Sequence, residues 1–102
     1  VGHSWEAFVI EQIIAQMPTG FSPYFYRTAA GAEIDLILKA ENSSPIAVEI
    51  QYSLSPGLSK GFHHGYQDLG CKKGVVIYPG KDVYKIAKNI IALPLNRLGE
   101  LF

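Results

Sequence analysis

Two carboxylates stand in neighbouring apolar segments where ordinary burial does not want them. Asp35 lies in Glu33-Ile34-Asp35-Leu36-Ile37-Leu38, and Glu49 in Ile46-Ala47-Val48-Glu49-Ile50-Gln51-Tyr52. A charge inside an apolar strand is costly to bury and needs a partner or a task. If the two approach each other they repel, and one tends to hold a proton at neutral pH unless a cation is present. A hard divalent ion such as Mg2+ removes that conflict, because it takes one or two carboxylates together with waters and phosphate oxygens. The competing reading is a solvated hairpin face.

Strand parity decides whether the pair can meet. Side chains of a strand alternate between faces, so Glu33, Asp35 and Ile37 are expected on one side, and Ile34, Leu36 and Leu38 on the other. In the next strand Ala47, Glu49 and Gln51 share a side, opposite Val48, Ile50 and Tyr52. Residues directly opposed in an antiparallel pair lie on the same side of the sheet. Pairing Asp35 with Glu49 centres the connecting turn at Asn42, and pairing it with Gln51 centres the turn at Ser43. Either register gathers the three polar residues. A one-residue slip scatters them.

The elements that must hold these strands follow from periodicity and punctuation. Ser4 is the expected N-cap of a first helix that runs to about Met17 and is stopped by Pro18 and Gly20. Trp5, Val9, Ile13 and Met17 form its apolar stripe, widened by Ile10 and Ile14, at ~100° per residue. Glu6 projects into that stripe, either as a charge at the helix N-terminus or as a third acid for the Asp35/Glu49 pair. Glu11 projects to solvent.

A short aromatic strand is expected over Tyr24 to Thr28. The turn Glu41-Asn42-Ser43-Ser44-Pro45 joins the two acidic strands. Ser55-Pro56 is expected to open a second helix, with Leu58, Phe62, Tyr66 and Leu69 buried and Gly70 at its end. Gly74 to Tyr78 reads as a fully buried central strand. Val83 to Ile86 reads as a strand or a helical turn, Asn89 to Leu93 as a strand, and Asn96 to Phe102 as a short closing helix. The order α-β-β-β-α-β plus a C-terminal addition predicts an α/β (α+β) sandwich with helices flanking a central mixed sheet.

Composition sets outer bounds. The 102 residues suit one domain, and 48% hydrophobic with 18% charged residues is a globular balance. No apolar run approaches the ~20 residues of a membrane span, and Glu6 and Glu11 interrupt any signal-peptide pattern. The single cysteine, Cys71, is expected to be a buried or half-buried thiol, which makes a reducing cytoplasm the expected compartment.

Net charge is zero but uneven. Residues 1–51 carry six acids against Arg27 and Lys39, a balance of −4, and residues 52–102 carry seven bases against three acids, a balance of +4. An acidic metal pocket beside a basic surface for a polyanion is one reading, and ordinary solvation by lysine is the other. His63 and His64 are adjacent on a helix and point roughly 100° apart, so they do not chelate one ion together. Tyr24, Phe25 and Tyr26 either stack on bases or pack a core and its rim.

A helix glutamate, a strand aspartate and then Glu-x-Lys in the next strand is the pattern of the PD-(D/E)xK nuclease superfamily, which this chain resembles through Glu6, Asp35 and Glu49-Ile50-Gln51. The spacing is also similar to that of archaeal Holliday-junction resolvases. A closer likeness is to a domain of unknown function at the C-terminus of prokaryotic AAA+ family ATPases. It rests on Trp5-Glu6-Ala7-Phe8-Val9, Tyr26-Arg27-Thr28, Gly31-Ala32-Glu33-Ile34-Asp35, Glu49-Ile50-Gln51 and Leu93-Pro94-Leu95. The likeness covers nearly the whole chain.

The resemblance implies a restriction-endonuclease-like core over residues 1–102, forming the C-terminal part of a longer ATPase, with DNA as partner. It implies Mg2+ or Mn2+ held by Asp35, Glu49 and the carbonyl of Ile50, with Glu6 an auxiliary acid bonding a water on the metal. Gln51 is the departure, since lysine is usual there. Glutamine hydrogen-bonds water but supplies no positive charge, although some active members of the superfamily tolerate a non-lysine. Lys60 and Arg27 are the candidate phosphate contacts; the alternatives are solvation for Lys60 and an ion pair with Glu33 for Arg27. Two functions stay open: a metal-dependent phosphodiester hydrolase, and an inactive nuclease fold that binds DNA or protein.

Overall fold

A computed structural model describes residues 2–102, with side chains from Ser4 onward. Helix α1 (Gly2–Gln16) is followed by strands β1 (Phe21–Arg27), β2 (Glu33–Ala40) and β3 (Ile46–Ile50). Helix α2 (Lys60–Asp68), strands β4 (Lys73–Tyr78), β5 (Tyr84–Ala87) and β6 (Ile90–Pro94), and a 3-10 helix over Leu95–Glu100 complete the chain. The architecture is α+β: one six-stranded mixed sheet, ordered β1-β2-β3-β4-β6-β5, with helices against it. The middle strands β3, β4 and β6 run parallel, and β1, β2 and β5 add antiparallel flanks. Among the described residues no helix is long and apolar enough to cross a membrane.

The central strands are buried on both faces, which is why β4 reads as an unbroken apolar run. Val75 and Ile77 face α1, joining Val9, Ile13, Leu36, Leu38, Val48, Ile50 and Leu93, with Leu98 and Leu101 closing the cluster. Val76 faces α2, joining Phe62, Ile34, Ile37, Ala47, Ile90 and Cys71. Trp5, Ile10 and Met17 pack against the first cluster as their spacing predicts, whereas Ile14 is exposed. Cys71 is a buried thiol, and burial raises its pKa.

Several boundaries differ from expectation. Ser4 lies inside α1 and does not cap it. The first strand starts earlier, at Phe21, and accommodates Pro23 because β1 is an edge strand, where a missing amide costs no ladder bond. Ser55-Pro56 does not open α2. The helix begins at Lys60, and Ser59 caps it by accepting the Phe62 amide at 3.0 Å. Pro56 is instead buried within the β3–α2 loop. Val83 to Ile86 resolves as strand β5, hairpinned to β6 through Lys88-Asn89, with Asn89 at φ 62°.

Helix α2 approaches the start of β2 closely. A Cβ on Gly61 would stand 2.7 Å from the Gly31 carbonyl oxygen and 3.4 Å from the Glu33 amide. The obstructing atoms are backbone and not the end of a flexible side chain, so no rotamer change relieves the contact. Gly61→Ala gains up to ~1 kcal/mol of helix propensity but meets an overpacking penalty of ~1–3 kcal/mol. The expected result is a net loss of up to about 2 kcal/mol in urea unfolding, and a variant more stable than the wild type would disprove the tight fit.

Candidate metal centre

The β2–β3 register pairs Leu38 with Ile46, Ile37 with Ala47 and Leu36 with Val48. Continued by one step, it sets Asp35 opposite Glu49 and centres the turn on Asn42, whose φ is 62°. The backbone ladder stops at Leu36–Val48, and the two carboxylates take over. The Asp35 amide donates to Glu49 Oε1 at 3.2 Å, and the Ile50 amide donates to Asp35 Oδ2 at 2.9 Å. Each strand thus sends a carboxylate into the gap to hold an amide of the other.

The expected alternation along β2 fails at this point. Tyr24 pairs with Ile37 and Tyr26 with Ile34, so Asp35 and Leu36 together oppose the single residue Phe25. This is a β-bulge, a device that re-aims a side chain. Its consequence is that Ile34 joins Ile37 on the α2 face instead of Leu36 and Leu38 on the α1 face. Asp35 is freed from strict parity and borders a cavity of about 250 Å3 with Glu6 and Ile10 of α1, Phe25, Arg27 and Glu33. Glu6 and Asp35 therefore line one space, which Glu49 does not border. Glu49 meets Asp35 in the strand gap.

Both carboxyls are half-buried, and burial raises both pKa values. Glu49 is pushed up to about 8 by burial first and by the Asp35 charge second. The chemistry of this donor pair fits a hard cation. Each carboxylate spends one oxygen on an amide and keeps further lone pairs, and a Mg2+ site needs only one or two carboxylates besides water and phosphate. Among the described residues no group of three or more His, Cys, Asp or Glu is close enough to form a fuller cage.

The remaining candidates take up other positions. Arg27 makes the expected ion pair with Glu33 at 2.9 Å; at 79% and 50% exposure the pair adds little stability. It still lines the cavity with Asp35. Lys60 is exposed at the first position of α2. Ile50 is buried at the end of β3, where its amide holds Asp35. Gln51 is turned into the β3–α2 loop. Its Oε1 accepts the Gly57 amide at 3.1 Å and its Nε2 donates to the Gly57 carbonyl, so both ends of the amide are engaged. His63 and His64 are exposed side by side on α2. Sequence reasoning missed Phe25 and Ile10 as walls of the cavity. The bulge that brings Phe25 opposite Asp35 has no sequence signal, since no glycine or proline interrupts the strand there.

An α+β domain with a paired-carboxylate site at a strand divergence is thus in place. The sequence profile of a domain of unknown function, DUF4143, matches residues 1–98, and the chain belongs to this family. It is similar to an uncharacterized protein of Mycobacterium bovis and one of Mycobacterium tuberculosis, each 29% identical over 98 residues, or 96% of this chain. The chain spans 22% of the length of these curated relatives. No solved structure matches it.

The raised Glu49 pKa has a consequence for stability. From pH 4.5, its ordinary value, to about 8, the folded form holds a proton that the unfolded form has released. Stability from this group is therefore lost as pH rises through that window, and Asp35, also raised, acts in the same direction. In the presence of a chelator, Tm is expected to fall more steeply between about pH 5 and about pH 9 for the wild type than for Glu49→Gln, which carries no charge there. Superimposable Tm–pH curves would show that Glu49 does not titrate as described.

Proposed function

We propose that this domain is a restriction-endonuclease-like module in which Asp35 and Glu49 hold a divalent cation, Mg2+ or Mn2+, for phosphodiester hydrolysis in DNA. The observation that carries the reading is the crossed carboxylate-to-amide bonding at the end of the β2–β3 ladder, which holds two mutually repelling acids together. The order α-β-β-β-α-β and the resemblance of Glu6, Asp35 and Glu49-Ile50-Gln51 to the PD-(D/E)xK pattern support it. The longer relatives leave room for the ATPase module that the same resemblance implies. A reducing cytoplasm, where Cys71 stays a thiol, is the compartment that goes with this reading.

The chain's own residues would act as follows. Asp35 and Glu49 bind the cation and the Ile50 carbonyl joins them. Glu6, on the shared cavity wall, orients a water. Arg27, already at the rim, meets a phosphate when it exchanges Glu33 for substrate. A bound cation supplies polarisation of the phosphodiester and a lowered pKa for the attacking water.

Gln51 favours a second reading, an inactive nuclease fold that binds DNA or a protein. Both ends of its amide are committed to Gly57, and it brings no cation to offset charge in a transition state.

Calorimetric titration of Mg2+ or Mn2+ into wild type and Glu49→Ala, followed by cleavage assays on linear and branched DNA, tests both readings. The expected outcome is cation binding that is abolished in Glu49→Ala and accompanied by cutting in the wild type. Because Glu49 must lose its proton to bind, affinity should rise with pH up to about 8, with proton release seen as a buffer-dependent heat. A wild type that binds no cation overturns the metal reading. Binding without cutting selects the inactive module.

A further inference from the structure

The run Tyr24-Phe25-Tyr26 lies in the edge strand β1. Tyr26 packs against the α2 cluster, and Tyr24 shares an apolar cleft with Ile37 and Leu69 on the same side. Phe25, between them at the sheet edge, is 70% exposed against 53% for Tyr24, and borders both that cleft and the cavity beside Asp35. A single exposed ring is ordinary on a protein surface. The position of this one is not incidental to the carboxylate pair: it is the residue that the Asp35–Leu36 bulge opposes, and it walls the same cavity as Asp35, Glu6 and Arg27.

The cavity also indicates what would meet that ring. Its volume of about 250 Å3 falls below the roughly 300–1,000 Å3 of drug-sized sites, which suits one planar base and not a stretch of duplex. Three acids, Glu6, Glu33 and Asp35, face it against one base, Arg27. Phosphate alone is poorly attracted there, and an uncharged planar group gains most from the exposed ring. Within a duplex both faces of a base are covered by its neighbours, and only an unpaired base offers a free face to an aromatic side chain.

We infer that Phe25 is a stacking platform for a nucleobase, and that the site takes single-stranded or unpaired nucleic acid in preference to continuous duplex. This rests on the metal and phosphodiester reading for its choice of ligand. Phe25 places the base, Arg27 meets the adjoining phosphate, and the Asp35/Glu49 pair lies on the neighbouring strand.

Fluorescence anisotropy of a labelled single-stranded DNA oligonucleotide and of its blunt duplex tests the assignment. The whole domain is used as wild type, Phe25→Ala and Phe25→Trp, in Ca2+ to prevent cutting and again in EDTA. The wild type should prefer the single strand. Phe25→Ala should weaken that binding roughly tenfold, Phe25→Trp should retain it, and duplex binding should be the same in all three. Tm should not move, since the ring is exposed. Single-strand binding unchanged in Phe25→Ala, an equal loss on both DNA forms, or no binding of either form by the wild type overturns the inference. Mg2+ calorimetry on the same proteins keeps the two ideas apart: Phe25→Ala should bind Mg2+ like the wild type. A wild type that ignores Mg2+ yet shows Phe25-dependent single-strand binding overturns the metal reading and leaves the stacking platform standing.

Discussion

The domain turns on how it finishes the β2–β3 ladder. Backbone amides that leave a sheet inside a packed domain must find acceptors. Here two of them, on Asp35 and Ile50, find carboxylates from the opposite strand. That exchange fixes the two side chains against each other and ties the ends of two strands that no longer pair. It also concentrates negative charge in a half-buried place, where the acids respond by holding protons. The same bonds thus serve as local scaffold and as the reason two acids stay side by side.

The two faces of the sheet explain why the pair sits where it does. Helix α1 and the C-terminal segment cover one face, and α2 covers the other. Their shared territory is the middle of the sheet, which leaves the ends of β2 and β3 and the edge strand β1 only partly covered. The cavity opens at that margin, walled by the first turns of α1 and by β1. A charged site in such a fold has to lie where burial gives out, because neither fully packed face tolerates it.

Much of this was legible in the residues. The apolar stripe of α1, the buried run of β4 and the polar turn over residues 41–45 each carry a strong local signal, and each lies where its signal puts it apart from Ile14, which is exposed. The residues left two registers open, and the backbone pairing takes the one centred on Asn42. The start of α2 was misread because Ser55-Pro56 and Ser59-Lys60 both satisfy the rules for a helix start, and only tertiary packing, with Pro56 buried in the loop and Ser59 capping Phe62, separates them. The facing of Ile34 departs from expectation for a different reason. Alternation holds only while a strand is regular, and the bulge at Asp35–Leu36 is set by pairing with β1 and not by any residue of β2 itself. The role of Gln51 was visible as a missing charge, but its partner was not, because a contact across a six-residue loop leaves no periodic trace.

That contact bears on how this lineage can change. The Gln51 amide is both a donor and an acceptor to one peptide unit at Gly57, closing the β3–α2 loop into a small ring. A lysine at the same position has donors but no acceptor, so it would leave the Gly57 amide without its partner and open the ring. Replacement of Gln51 by lysine is therefore not a single neutral step. It asks for a rebuilt loop as well, and until both change together position 51 is held in place by architecture, whatever chemistry the neighbouring acids perform.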